Sequence, residues 1–175
     1  MTKLFRSIRV FSSLACLAAL CVLSAGDLYA QGQQGPPPSV EQVMLRQWNG
    51  VHNKIIAMAK DFPEDKLDSR PHKDSRSFIE EIWHVTATAQ WLIAQYKNET
   101  VDTNKLFSND GRPRGRAEFV AQLEGAVKEC SALIEKQPTP RVIGLIEHAG
   151  EHYGKLVTIY RMNGLVPPAS RPRAQ

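Results

Sequence analysis

The chain has 175 residues, 42% hydrophobic and 23% charged, with a formal net charge of +4. That composition is globular and excludes a collagenous, low-complexity or disulfide-dense protein. Its small positive charge carries no footprint of nucleic-acid binding.

The first thirty residues stand apart. Lys3, Arg6 and Arg9 are followed by an apolar run from Val10 to Ala25, broken only by small polar residues, and then by Leu28-Tyr29-Ala30. A basic start, an apolar stretch and a small-residue cleavage site predict a secretory signal peptide over 1–30, cut after Ala30. The product is then expected to be periplasmic or secreted. The run is shorter than the roughly 20 residues of a membrane span, so no stable membrane anchor is expected. Leu20 before Cys21 spoils a lipoprotein motif, and Cys16 comes too early for one. Residues 1–30 hold three basic side chains and one acidic one, so the remainder carries +2. Cys16 and Cys21 also leave, which makes Cys130 the one thiol of residues 31–175 and rules out an internal disulfide. Those 145 residues suffice for one compact domain.

Residues 31–38 are rich in Gln, Gly and Pro and predict a flexible lead-in. Ser39 with Gln42 is a capping-box pattern for a first helix. Val40, Met44, Trp48, Val51, Ile55 and Ala59 then recur with helical period until Pro63. Ser77 with Glu80 repeats the capping signature for a second helix, whose apolar positions include Phe78, Ile82, Val85, Ala89, Leu92 and Tyr96. Asn98 to Gly115 is polar, contains Asn109-Asp110-Gly111 and Pro113, and predicts a long loop that crosses the bundle or covers a site. A third helix carries Phe119, Leu123, Val127, Cys130 and Ile134 on one face. Thr139-Pro140 supplies an N-cap and a first-turn proline for a fourth, which runs to about Asn163. Gly164 is placed to cap its end, and Pro167-Pro168 prevents its continuation. No segment alternates with a period of two. The expected fold is all-α, a four-helix bundle over 39–170 with a long loop between the second and third helices, followed by a short tail over 171–175.

The fourth helix holds the strongest chemical signal, His148-Ala149-Gly150-Glu151-His152. Positions i and i+4 share one face about 6 Å apart along the axis, so both imidazoles can reach one divalent ion at about 2.0–2.1 Å. His84, beside the apolar stripe of the second helix, is a third candidate ligand, and three imidazoles leave a fourth position open. A single histidine on such a helix is usually a satisfied core residue; three on facing helices weaken that reading. His148-x-x-Glu151-His152 also matches the inverted zinc peptidases. Those enzymes take an acidic third ligand well downstream, and no Asp or Glu follows Glu151. Glu81-x-x-His84 is one motif of a carboxylate-bridged di-iron site, but that architecture needs a second such motif and two further glutamates. Glu151 and His52 are candidates for proton transfer, with a solvated surface and a hydrogen-bonded core histidine as their respective alternatives. His72, beside Pro71 in a loop, receives no role. Cys130 reads as inert packing, and Trp83, Trp91 and Tyr153 as core.

Several segments together resemble the DinB-like superfamily of metal-binding four-helix bundles. Phe78-Ile79-Glu80-Glu81-Ile82-Trp83-His84-Val85 resembles its second helix, and His148-Ala149-Gly150-Glu151-His152-Tyr153-Gly154-Lys155 its fourth. The stretch from Tyr160 to Pro168 resembles its closing segment, and Phe62 to Leu67, ahead of Arg70-Pro71, its first inter-helix loop. Tyr153 and Lys155 stand where many relatives have Arg and Gln. The resemblance implies a three-histidine site of His84, His148 and His152 holding one nickel, zinc or other divalent ion, iron and manganese included. It also implies action on a small molecule as a metal-dependent hydrolase or as a transferase using a low-molecular-weight thiol. The alternative is a non-catalytic ligand-binding or interaction bundle whose metal is structural or absent. Pairing into a homodimer through an exposed helix face is compatible with either.

Overall fold

The computed structural model describes residues 36–172. The expected signal peptide, the 31–35 part of the lead-in and residues 173–175 of the tail lie outside them. Residues 39–172 form one compact unit. Four long helices, α1 (Val40–Asp61), α2 (Phe78–Lys97), α4 (Arg116–Lys136) and α5 (Arg141–Met162), are joined by a one-turn helix α3 (Thr103–Leu106). This is the expected all-α bundle, and among the described residues there is no strand. None of the described helices is long and apolar enough to cross a membrane.

The ends of the helices follow local chemistry. At the start of α1 the Gln42 amide donates to Ser39 Oγ at 3.2 Å, and the Ser39 amide donates back to Gln42 Oε1 at 2.9 Å. Two donors otherwise orphaned at a helix N-terminus are thereby satisfied. Pro63 disfavours the helical region for Phe62, which turns extended (ψ 138°) and stops the helix. Glu80 accepts the Ser77 amide at 2.7 Å to open α2. Asn98 closes α2 in the left-handed region (φ 55°), and the Glu99 amide reaches back to the Ala94 carbonyl at 2.9 Å.

Three expectations need correction. The 98–115 segment is not wholly irregular, because Asp102 caps a helical turn by accepting the Lys105 amide at 3.1 Å. Helix α5 starts at Arg141, one residue beyond the expected first position, and no side chain caps it; backbone bonds from Val142 to Thr139 and from Ile143 to Pro140 lead into it. Val40, placed on the apolar stripe of α1, is 69% exposed, because it lies at the free end of the helix.

Helix α4 packs on α1 and α2, α5 packs on α1, and the contact between α2 and α5 is less extensive. The interior divides into two apolar clusters. One gathers Ile55, Phe62, Phe78, Leu123, Leu156 and Tyr160. The other gathers Met44, Trp48, Leu92, Cys130, Ile134 and Val142. Each helix passes from one cluster to the other, α1 between Trp48 and Ile55 and α2 between Val85 and Ala89. Buried His52 lies within the α1 crossing, whereas buried His152 follows the α5 crossing and sits between Ala149 and Leu156 of the first cluster.

Candidate metal centre

Helices α2 and α5 run antiparallel where they face each other, since His84 meets His148 while Glu81, earlier in α2, meets His152, later in α5. That register brings three imidazoles together. The Nε2 atoms of His84 and His148 lie 3.3 Å apart, and those of His148 and His152 lie 3.1 Å apart. One nitrogen from each of the three lies within 4.8 Å of the other two. Two nitrogens held tetrahedrally at 2.0–2.1 Å from a common ion stand about 3.3 Å apart, so the spacing fits a divalent metal.

Proton bookkeeping supports the fit. Glu81, 4% exposed, hydrogen-bonds with its Oε2 to Nδ1 of His152, itself 2% exposed. The carboxylate accepts, so Nδ1 carries a proton, and a neutral His152 ring would then turn a bare Nε2 lone pair toward the other two rings. Without a cation the three nitrogens contend for a proton from His148 or His84; with one, each lone pair has a partner. A carboxylate behind a ligating imidazole fixes its tautomer and raises its basicity, the usual outer support of such a ligand.

The electrostatics run the same way. Burial, followed by the charge of Arg76, lowers the His84 pKa to about 4. Burial and then His152 lower that of His148. Burial would raise the Glu81 carboxyl, but the hydrogen bond and charge of His152 prevail and hold it below its ordinary value. Neutral rings at His84 and His148 and an ionised Glu81 are protonation states that metal ligation requires.

The other candidates are placed as follows. His52 is buried but outside the trio; its Nδ1 donates to the Trp48 carbonyl at 2.8 Å and its ring lies 3.9 Å from that of Trp48. Burial is the main cause lowering its pKa to about 4, and the charge of His148 adds to it. Glu151 is exposed on α5, near enough for its charge to raise the pKa of His148. His72 is exposed beside Asp74. Cys130 Sγ is buried and donates to the Ala89 carbonyl at 3.3 Å, and burial pushes its thiol up to about 12. Trp83 is buried, whereas Trp91 and Tyr153 are only half-buried, under Arg141 and Lys54 respectively.

Two contributors had no clear signature in the sequence. Glu81 stood out only as half of a di-iron motif; its carboxylate instead turns to His152. Phe107, just after α3, lies 5.3 Å from His84 between ring centroids and walls one side of the centre. Its loop is anchored by Trp83 Nε1, which donates to the Ser108 carbonyl at 2.8 Å, and by Asn109, which donates to Glu80 at 3.3 Å. The long loop therefore reaches over the site.

A helical bundle with three convergent imidazoles and a carboxylate behind one of them defines a class of fold built to hold a metal between facing helices. A model of the DinB superfamily matches residues 47–162, and the chain belongs to that superfamily. A search of curated proteins finds no match.

Proposed function

We propose that this chain is an exported metal-dependent enzyme of the hydrolase or transferase kind, acting on a small molecule at a centre formed by His84, His148 and His152. The observation that carries the reading is the convergence of three Nε2 atoms with Glu81 behind one of them. All-imidazole donors suit zinc or nickel best, with iron and manganese as further occupants. When bound, a divalent ion supplies Lewis acidity, lowering the pKa of a coordinated water towards about 7 and polarising a substrate carbonyl. Three protein ligands leave a position open for that chemistry, as catalytic sites do and closed structural sites do not.

The chain's own residues divide the remaining work. Glu81 holds the His152 ring and its tautomer. Glu151, exposed on α5, is the candidate for proton exchange with solvent, while His52, buried and kept neutral, supports the interior beside Trp48. Phe107 restricts water around His84. Export rests on the pattern of residues 1–30.

The test is elemental analysis of the purified protein beside the His148→Ala/His152→Ala double variant, followed by ester, amide and thiol-transfer assays with and without EDTA. One divalent ion per chain, lost in the variant, together with chelator-sensitive turnover, is the expected result. Turnover indifferent to both EDTA and the double substitution would refute it.

A further inference from the structure

A cleft of about 510 Å³ adjoins the histidine cluster, lined by Ser75, Arg76 and Asp74 from the loop before α2, by Glu81 of α2 and by Lys155 of α5. Glu81 is the shared wall, since the same side chain lines the cleft and holds His152. Lys155 follows His152 by three residues, one turn further along α5 and on the same side of the helix.

The charges in this cleft are unevenly engaged. Glu81 is taken by His152, and Asp74 lies 3.5 Å from His72. Arg70, a few residues earlier, is held 3.5 Å from Glu80. Arg76 and Lys155 have no ion-pair partner among the described residues. Both line the cleft whose wall Glu81 shares with the centre. Both residues are exposed, so their charged ends stand in water and are free to meet an anion that enters the cleft.

We infer that this cleft is a subsite for an anionic group of the substrate, a carboxylate or a phosphate, held by Arg76 and Lys155 while the reacting end of the same molecule faces the three histidines. The inference rests on the metal-dependent reading above and adds the substrate class to it. The guanidinium offers a planar two-pronged contact and the ammonium a point charge, a pairing suited to a small anion rather than to a neutral chain. A third wall of the cleft, Ile159, gives the substrate's carbon skeleton apolar contact next to the charged end.

The test uses the full-length protein loaded with cobalt(II), whose visible absorption reports ligands entering the open position. Cobalt content is measured first, against the His148→Ala/His152→Ala double variant. The protein is then titrated with 3-mercaptopropionate and with 2-mercaptoethanol, two thiols that offer the metal the same sulfur and differ in a carboxylate. The expected result is a preference of roughly 10-fold for the carboxylate, of the order two partly exposed charge contacts supply. It should fall to within about twofold in Arg76→Ala/Lys155→Ala and invert in Arg76→Glu/Lys155→Glu, with cobalt content unchanged in both. Wild-type protein that holds cobalt but treats the two thiols alike, or takes up neither, overturns the anionic subsite and leaves the metal centre standing. Protein that holds no cobalt overturns the metal reading itself, so the two failures are separate.

Discussion

Glu81 acts through His152, and its contribution follows from proton placement. A glutamine at this position keeps the volume but cannot serve as a charged acceptor, and its amide group can present a donor to Nδ1 instead. His152 would then be free to take the other tautomer, with its proton on Nε2, where the metal must bind. Glu81→Gln is therefore expected to weaken zinc binding by about 10–100-fold, measured by competition with a chromophoric chelator, while far-UV circular dichroism stays unchanged. Equal affinity in the two proteins would show that the ring needs no such restraint. The role of Glu81 was not legible in the sequence, because it depends on a partner 71 residues away. The i, i+4 spacing of His148 and His152 follows from helix geometry alone, whereas the Glu81–His152 pair needs the antiparallel register of α2 on α5. Phe107 escaped for the same reason, lying in a segment whose only local signal was polarity.

At the scale of elements, the long helices were legible wherever capping and period agreed. The Ser39/Gln42 and Ser77/Glu80 signatures mark true starts, and Gly164 marks a true end. Gly164 adopts φ +71°; its amide bonds the Arg161 carbonyl and the Leu165 amide bonds that of Tyr160, both at 3.0 Å, which is the Schellman pattern. A Cβ there would meet nothing within 4 Å, so the cost of Gly164→Ala is conformational alone. That cost is about 1–2 kcal/mol, expected as a fall of roughly 2–8 °C in melting temperature for a domain of this size. No fall would mean that the turn relaxes to negative φ. The start of α5 misled because Thr139-Pro140 has the composition of a cap but not its hydrogen bond.

Beyond Gly164 the chain straps back onto α1, a contact that composition could not foretell. Arg171 grips Asp61 with both arms of its guanidinium, Nη1 lying 2.8 Å from Oδ1, and Tyr160 donates to the same carboxylate at 3.1 Å. The Arg171 hydrogen bond is the chief cause holding the Asp61 carboxyl below its ordinary value, against the opposing effect of burial. A depressed folded-state pKa stabilises above the ordinary carboxylate range and loses that effect as pH falls through the folded value. The gap in urea midpoint between wild type and Arg171→Ala should therefore be constant above about pH 6 and close as pH approaches ~3. A gap independent of pH would show that the strap works through packing alone.

For the whole molecule, the decisive feature is where the polar residues lie. Three imidazoles and a buried carboxylate lie at the seam of α2 and α5, alongside the apolar cluster that holds Ile82, Val85, Ala149 and Leu156, where helix contact is less extensive than elsewhere around the bundle. An apolar seam would be the simpler way to join the two helices, because buried polar groups stabilise only when every donor and acceptor is met. A cation held by the three histidines would meet the Nε2 lone pairs and bridge both helices, so that ligation and closure of the seam would be one event. An ion that binds the folded chain and not the unfolded one adds about 2.7 kcal/mol at a hundredfold excess over its dissociation constant. In a domain of this length that corresponds to roughly 5–10 °C in melting temperature. Zinc or nickel should therefore raise the transition of the wild-type protein by this amount, reversibly with EDTA, and slow amide exchange in α2 and α5 around the histidines more than in α4. His148→Ala/His152→Ala should show neither effect at any metal concentration. If the transition of the wild type is unmoved by metal, or moves equally in the double variant, the ion does not bind at this seam.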